Sequence, residues 1–533
     1  MTIATPPPEE FNFARHLLQL NEARPQSLAF IDDDTEISYG ELFDRVKRIG
    51  SAFLERGLSR GERVMVVMPD RIEWPLVFLG AIYAGLVPVA VNTLLTLADY
   101  VYLLEHSNAA AVIATKDLLP KLLNARSELG KGAARLMVVV GAHETPHHLD
   151  QVMSLDSLLA NGDSDYKGAS TCQSDVAFWL YSSGSTGRPK GVLHSHANLY
   201  WTAELYGKPV MGISESDRVF SAAKLFFAYG LGNALTFPLS VGGAAILMAE
   251  RPTPAAVLKR LHQHEATIFC GAPTLYASLL TTEPSARPSK LRLCTSAGEA
   301  LPKEVGDRFV NQYGVDILDG LGSTEMLHIF VSNRVSDLCY GTTGLPVTGY
   351  DIELRGEQGE ILSGCGQIGD LWVRGPSAAL HYWNDEAKTR DTFHEGWVRT
   401  GDKYVRRDDG RLVYAGRNDD MLKISGQFVS PFEVESTLVQ HPCVLECAVI
   451  AVVDQIGISK SKAFVVLQPG HEASTVTADG LKAFVKSRLA PFKRPHYVEF
   501  VLELPKTATG KIQRYLLREK ARDMPRAPHE YGS

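Results

Sequence analysis

Four short stretches of this chain carry residue types that grip anions, cations or hydroxyls. The first, Tyr181-Ser182-Ser183-Gly184-Ser185-Thr186-Gly187-Arg188-Pro189-Lys190-Gly191, follows the apolar run Val176 to Leu180, which reads as a buried strand. Small residues expose backbone N–H groups that can wrap a phosphate. The hydroxyls of Ser182, Ser183, Ser185 and Thr186 and the Lys190 ammonium supply further donors. A plain linker would have the glycines and serines without the strand before them. The Walker pattern is absent, because no Gly-Lys-Ser/Thr stands at its spacing.

The second stretch, Asp319-Gly320-Leu321-Gly322-Ser323-Thr324-Glu325, also follows a strand-like run. Its glycines permit close backbone approach, and a carboxylate beside a hydroxyl suits Mg²⁺ held against phosphate oxygens. A tight turn capped by Glu325 would read the same way. The third, Trp397-Val398-Arg399-Thr400-Gly401-Asp402, offers a carboxylate able to accept from two sugar hydroxyls, with a β-turn as the plainer reading. The fourth, Lys506-Thr507-Ala508-Thr509-Gly510-Lys511, puts a lysine on a loop near the end of the chain, where a lysine is usually only solvated.

Alternating helical and strand patterns must position these stretches. Ser38 and Glu41 form a capping box ahead of Leu42, Val46, Ile49 and Phe53 at helical spacing, and Gly57 gives the stop. Strands are expected at Arg63 to Met68, Ala111 to Ala114, Leu136 to Val140, Ala244 to Met248 and Val315 to Leu318, and a helix at Pro254 to His264. This alternation predicts α/β layers with largely parallel sheets. Past Asp351 the pattern becomes hairpin-like, with a turn at Asp408-Asp409-Gly410. After the polar stretch Gly416 to Asp420 a separate α+β unit is expected. It has helices from Pro431 and near Asp479–Leu489, and strands near Leu445–Val453, Ala463–Leu467 and Val498–Leu502. The predicted fold is thus α/β: a large N-terminal domain (1–417) of layered α/β subdomains plus a β-rich one, and a small α+β C-terminal domain (418–533).

The 533 residues are 45% hydrophobic, enough for a large core, so global disorder is excluded. A net charge of −7 with no basic stripe argues against a nucleic-acid partner. The seven cysteines match neither a disulfide framework nor a zinc site, Cys443 and Cys447 having only His441 nearby, and are expected to be buried. No basic start followed by an apolar run marks a signal peptide. The most apolar stretch, Leu76 to Val91, is broken by Gly80, Gly85 and Pro88 and is too short for a bilayer. The expectation is a cytoplasmic protein, monomer or homodimer, with no membrane partner.

Taken in order, with Arg417 between the third and the fourth, these stretches resemble the adenylate-forming superfamily of acyl-CoA synthetases, luciferases and peptide-synthetase adenylation domains. The resemblance covers essentially the whole chain. It implies ATP, Mg²⁺ and coenzyme A as cofactors and co-substrates. Ser182 to Gly187 (with Gly184) and Lys190 would cradle the β- and γ-phosphates, and Ser296-Ala297-Gly298-Glu299-Ala300 would lie along adenine. Asp319, followed by Gly320, Leu321 and Gly322, would take the adenine amine. Thr324 and Glu325 match the α-phosphate and Mg²⁺ contacts. Asp402 and Arg417 match the ribose pair, Asp419 the hinge of a mobile C-terminal domain, and Lys511 the lysine bridging carboxylate and α-phosphate. Gly426 matches a position lining the pantetheine tunnel, and Lys423 a lysine brought in for the thioester step. Two departures stand out: Leu321 where relatives often carry an aromatic residue, and Phe428 where some acetyl-CoA synthetases use arginine.

The same resemblance points to the acid. Lys224 to Gly232 occupies the acyl-pocket segment and lacks the aspartate that would pair with an amino-acid ammonium. Ala228, Tyr229, Ala297, Gly322, His328 and Ile329 resemble the pocket of benzoate-CoA ligases, and Phe227 is placed with them, so a small aromatic carboxylate, benzoate or a close substituted benzoate, is expected. Phe227 and Tyr229 offer flat faces to a ring, although such residues often only fill space. Hydroxybenzoate, aminobenzoate or another small acid is the main rival. A phosphotransferase would give ADP where this reading demands AMP and pyrophosphate. A non-catalytic nucleotide-binding module would not keep Lys190, Glu325, Asp402, Arg417 and Lys511 together.

Overall fold

The computed structural model describes residues 4–130, 133–141, 152–183, 188–282, 287–417, 420–424, 427–453, 459–490, 493–506, 512–523 and 530–532. Two large sheets dominate the N-terminal part. In the eight-stranded one, Val176–Ser183, Val87–Ala90, Arg63–Val67, Ala111–Thr115, Leu136–Val140 and Val152–Ser154 lie parallel. Pro189–Ser195 adds antiparallel to Val176–Ser183, and His381–Tyr382 caps that edge. The nine-stranded sheet has Ile317–Gly322, Leu293–Ser296, Ile268–Gly271, Arg218–Ser221, Ala244–Ile246 and Leu28–Ile31 in parallel, with antiparallel strands at both edges.

The stretch too short for a bilayer is a core helix, Glu73–Tyr83, buried from Trp74 through Tyr83, followed by the strand Val87–Ala90. A helix apolar on all faces belongs inside a protein. It packs on helix Tyr39–Glu55, whose Ser38/Glu41 capping box forms as expected. The approach is close at Gly80, where a Cβ would lie 2.6 Å from Ile49 Cγ2. No helix among the described residues is long and apolar enough to cross a membrane.

Beyond Asp351 the chain forms the expected antiparallel sheet, with Asp351–Arg355, Ile368–Arg374, Trp397–Arg406 and Leu412–Arg417 successively paired. Gly410, at φ +81°, turns the last hairpin, a conformation glycine adopts without strain. The C-terminal part has its own sheet of Val444–Val453, Ser459–Leu467, Tyr497–Phe500 and Glu530–Gly532. The helices of this part are Pro431–Val439, Thr475–Lys486 and Arg514–Asp523. Its apolar cluster, including Leu422, Val434, Val449, Val465, Leu481 and Val498, draws only on residues after 420.

The cysteines correct one expectation. All seven are free; Cys270, Cys294, Cys443 and Cys447 are buried, but Cys172 and Cys339 are half-buried and Cys365 is exposed.

Candidate active site

Much of the stretch read as a phosphate loop is strand. Tyr181, Ser182 and Ser183 pair with Gly191, Lys190 and Pro189. Gly184, Ser185, Thr186 and Gly187 lie outside the described residues. Lys190 stands across the ladder from Ser182 with its ammonium 5.4 Å from the Tyr382 ring centroid. Burial, reinforced by Lys388, holds that ammonium below the usual lysine range; Glu325, Asp385 and Asp391 pull the other way.

The second stretch is likewise more regular than its glycines suggest. Asp319 through Gly322 continue the strand Ile317–Gly322, because Ile329–Ser332 returns antiparallel beside it. Gly322 is required by that return, since a Cβ there would sit 2.7 Å from the His328 carbonyl oxygen. The chain then turns through Ser323 to His328, with Met326 N–H donating to Ser323 Oγ (3.2 Å) and Leu327 left-handed at φ +65°. His194 Nε2 donates to the Thr324 carbonyl at 2.9 Å. The turn presents Glu325, whose Oε1 accepts from Tyr382 Oη at 2.9 Å and from Ser182 Oγ at 3.5 Å. The strand pair carrying Lys190 and the turn carrying Glu325 therefore meet.

Asp319 is buried beside this turn, with Leu301 N–H donating to Oδ2 at 3.4 Å. Burial pushes its carboxyl up to about 8. The Leu301 and Gly320 N–H groups and the Ser296 hydroxyl favour the ionised form but do not offset that burial. Gly298, at φ +95°, exposes backbone next to half-buried Glu299 and Ala300, just after the strand ending at Ser296.

The third stretch is not a turn: Trp397–Arg406 is one bulged strand, and Asp402 faces Arg417 across the ladder. Their side chains lie 3.7 Å apart, Arg417 Nη1 to Asp402 Oδ1, and Asp402 holds the arginine above its ordinary range. The Arg417 side chain is 55% exposed and that of Asp402 only 10%, so the pair sits at a surface with the carboxylate on the inner side.

Of the acyl-pocket segment, Lys224 to Phe227 is loop, whereas Ala228–Leu231 is helix and Gly232–Thr236 a π-helical continuation. Tyr229 Oη is 2.7 Å from Thr295 Oγ1. Tyr229, Ala297, Leu321 and Ile329 pack into one apolar cluster, while Phe227 and Ala228 join the neighbouring one. His328 is buried among Tyr206, Tyr229 and Phe237, with ring centroids at 5.2, 5.5 and 4.6 Å. Burial lowers its pKa to about 3, so the imidazole is neutral. Nε2 lies 3.3 Å from the Tyr229 carbonyl, which only accepts, so Nε2 carries the proton. Nδ1 is then a bare, buried acceptor without a partner among the described residues.

These groups form an oxygen-rich end at Ser182, Thr324 and Glu325 and an apolar end at Tyr229, Ala297 and Ile329. Two family models match this chain. Residues 18–383 match the AMP-binding enzyme model, and residues 433–511 match the AMP-binding enzyme C-terminal domain. The chain belongs to the AMP-binding enzyme family. A benzoate–CoA ligase of Thauera aromatica is 52% identical over 96% of this chain and 98% of its own. A 4-hydroxybenzoate–CoA/benzoate–CoA ligase of Rhodopseudomonas palustris is 45% identical over 96% and 95%. Among solved structures, a benzoate CoA ligase from Burkholderia xenovorans LB400 superposes with TM-score 0.88 at 53% identity, covering 95% of this chain and all of that one.

For an AMP-binding enzyme the donors present suit Mg²⁺. No three His, Cys, Asp or Glu side chains gather as a metal cage among the described residues, and one carboxylate beside hydroxyls is the set Mg²⁺ takes when phosphates complete its shell. Asp419, Gly426 and Lys511 lie outside the described residues. Lys423 is in the strand Leu422–Ile424, but its side chain and that of Phe428 fall outside them as well. Sequence reasoning missed Tyr382, which touches both Glu325 and Lys190. A lone tyrosine in His381-Tyr382-Trp383-Asn384 has no spacing to announce it.

Proposed function

We propose that this AMP-binding enzyme is an ATP-dependent aryl-CoA ligase. Benzoate, ATP and CoA would give benzoyl-CoA, AMP and diphosphate through a benzoyl-adenylate. The observation that carries this reading is 52% identity to a benzoate–CoA ligase over 96% of the chain. The sequence of the pocket segment supports it, since no carboxylate stands between Lys224 and Gly232 to receive a substrate ammonium.

A carboxylate acylates poorly because its leaving group would be oxide. Attack of its oxygen on the α-phosphorus of ATP forms the C–O–P bond, breaks the bond to diphosphate and leaves AMP as a good leaving group. Two anions must meet, so the site supplies cations. At an effective dielectric near 20, opposite charges about 4 Å apart attract by roughly 4 kcal/mol. Lys511, on a small domain comprising 418–533 that turns about Asp419, is assigned to bridge carboxylate and α-phosphate. Ser182 to Gly187 and Lys190 would hold the outer phosphates, and Thr324 the α-phosphate. Asp319 and the Gly298–Ala300 segment would hold adenine, and Asp402 with Arg417 the ribose. Glu325 would hold Mg²⁺, which supplies charge neutralisation of the phosphates. The CoA thiolate then attacks the acyl carbonyl and expels AMP. Gly426 and Lys423 are assigned to that step, after the small domain has presented a second face.

Phe227, Ala228, Tyr229, Ala297, Gly322, His328 and Ile329 would enclose the ring. A second reading, a hydroxy- or aminobenzoate, is favoured by one observation: the bare His328 Nδ1 would accept from a ring substituent. A carboxylic-acid panel assayed for pyrophosphate release with and without CoA tests both readings. Benzoate is expected to lead, with AMP as product. ADP as product would overturn the reaction class, and a hydroxy- or aminobenzoate in front would install the second reading.

A further inference from the structure

One short segment, Pro376 to Trp383, ties the two halves of the proposed nucleotide site together. Asn198 Nδ2 donates to the carbonyls of Pro376 and Ala378 at 3.2 Å each. Ser377 Oγ donates to the Met326 carbonyl at 2.8 Å, and Ala379 N–H to that of Glu325 at 2.7 Å. Leu380 N–H and Trp383 N–H donate to the carbonyls of Leu193 and Gly191 at 2.9 and 2.8 Å, and His381 and Tyr382 pair with Leu193 and Val192. The segment is thus bonded to the backbone of Glu325 on one side and to the strand of Lys190 on the other. Buried Tyr382 adds the side-chain contacts: its hydroxyl donates to Glu325 Oε1 at 2.9 Å while its ring faces the Lys190 ammonium at 5.4 Å.

We infer that Tyr382 is a positioning residue for adenylate formation, its hydroxyl fixing the orientation in which the Glu325 carboxylate meets a divalent cation. This rests on the cation-binding role proposed for Glu325. A carboxylate already held by a buried donor need not be ordered when the cation arrives. Losing such an outer partner typically costs about 10–100-fold in metal affinity or activity. Because backbone bonds hold the segment, Tyr382→Phe keeps the fold and the ring over Lys190 while removing only the hydroxyl.

The experiment uses the full chain as wild type, Tyr382→Phe and Glu325→Gln. Free Mn²⁺ is followed by electron paramagnetic resonance with α,β-methylene-ATP present, and the Mg²⁺ dependence of ATP–diphosphate exchange is measured in parallel. Tyr382→Phe is expected to weaken Mn²⁺ binding and raise the Mg²⁺ half-saturation by about 10-fold or more. Exchange at saturating Mg²⁺ should recover, and thioester formation from supplied benzoyl-adenylate should stay unchanged. Wild-type Mn²⁺ binding in Tyr382→Phe, with binding lost in Glu325→Gln, would overturn the inference alone. Wild-type binding in both would remove the role of Glu325 and the inference with it.

Discussion

Asp319→Asn separates what the fold demands of this buried carboxyl from what a nucleotide would gain from it. An ordinary aspartate ionises near 3.8, whereas burial moves Asp319 up to about 8. Below the lower value the folded and unfolded chains are both protonated there, and the group favours neither. Between the two values the unfolded chain has released the proton and the folded chain still holds it. Stability therefore falls as pH rises, by about 1.4 kcal/mol per pH unit, until the folded group also ionises. The window is about four pH units wide, which sets about 6 kcal/mol as the upper limit of the cost above pH 8, before relaxation and water entry reduce it. Asparagine has no such titration and can keep the Leu301 N–H bond through its oxygen. The thermal midpoint of Asp319→Asn should thus gain on wild type steadily from pH 4 to 8 and then level off. Above about pH 8, where the folded wild-type carboxyl is ionised, the amide NH₂ would stand where Asp319 offers an acceptor to the proposed adenine amine. An unmade buried hydrogen bond costs about 1–3 kcal/mol, so ATP affinity measured above pH 8 should drop about 5- to 150-fold while the apo protein becomes more stable. Parallel midpoint-versus-pH curves for the two proteins would refute the burial argument, and unchanged ATP affinity would refute the adenine assignment.

Lys511→Ala should lower benzoate-dependent ATP–diphosphate exchange by about 10²–10³ while leaving thioester formation from supplied benzoyl-adenylate nearly intact. Equal loss in both half-reactions would contradict a domain that presents two faces in turn. Enlarging Ala228 to Leu should raise the benzoate KM by about 10-fold or more through overpacking, with the ATP KM unchanged; unaltered benzoate turnover would remove that residue from the ring's surroundings. Arg417→Ala breaks the pairing with Asp402 and should weaken ATP without affecting a benzoate panel's rank order, read from the two KM values.

The sequence made the chemistry more legible than the local geometry around it. Glycines and hydroxyls at Ser182–Gly187 and Asp319–Glu325 point to phosphate binding because that mixture supplies donors and allows close backbone approach. The same glycines made strand residues read as loop. What overrode them is non-local: Lys190 is held in a ladder by Ser182, and Asp319 to Gly322 by a strand that returns after His328. Helix limits fared better where the signal was local, as at Ser38, whose cap needs only Glu41 three residues on. The acyl-pocket segment turns helical from Ala228 despite its glycines. Glycines 230 and 232 break propensity, yet both sit in helical turns where a Cβ would strike the Lys224 carbonyl oxygen at 2.1 Å or His328 at 2.3 Å. Glycine is used there for space, which no window of sequence reports.

Tyr382 carries that argument furthest. It lies 57 residues from Glu325, and its ring faces the ammonium of the more distant Lys190, so only the finished sheet edge brings the three together. The side chains that would touch substrate are recognisable one by one because the chemistry restricts their types. The groups that orient them are restricted only by place, and many residue types can serve. Position in the fold is therefore the evidence for a supporting role, and composition of a motif is the evidence for a reacting one. His328 shows both kinds of evidence at once: its Nδ1 is one of several buried polar atoms that no described residue completes, and its place beside Tyr229 and Phe237 is what proposes it for a ring. A ring substituent able to donate would remove the cost of burying that acceptor.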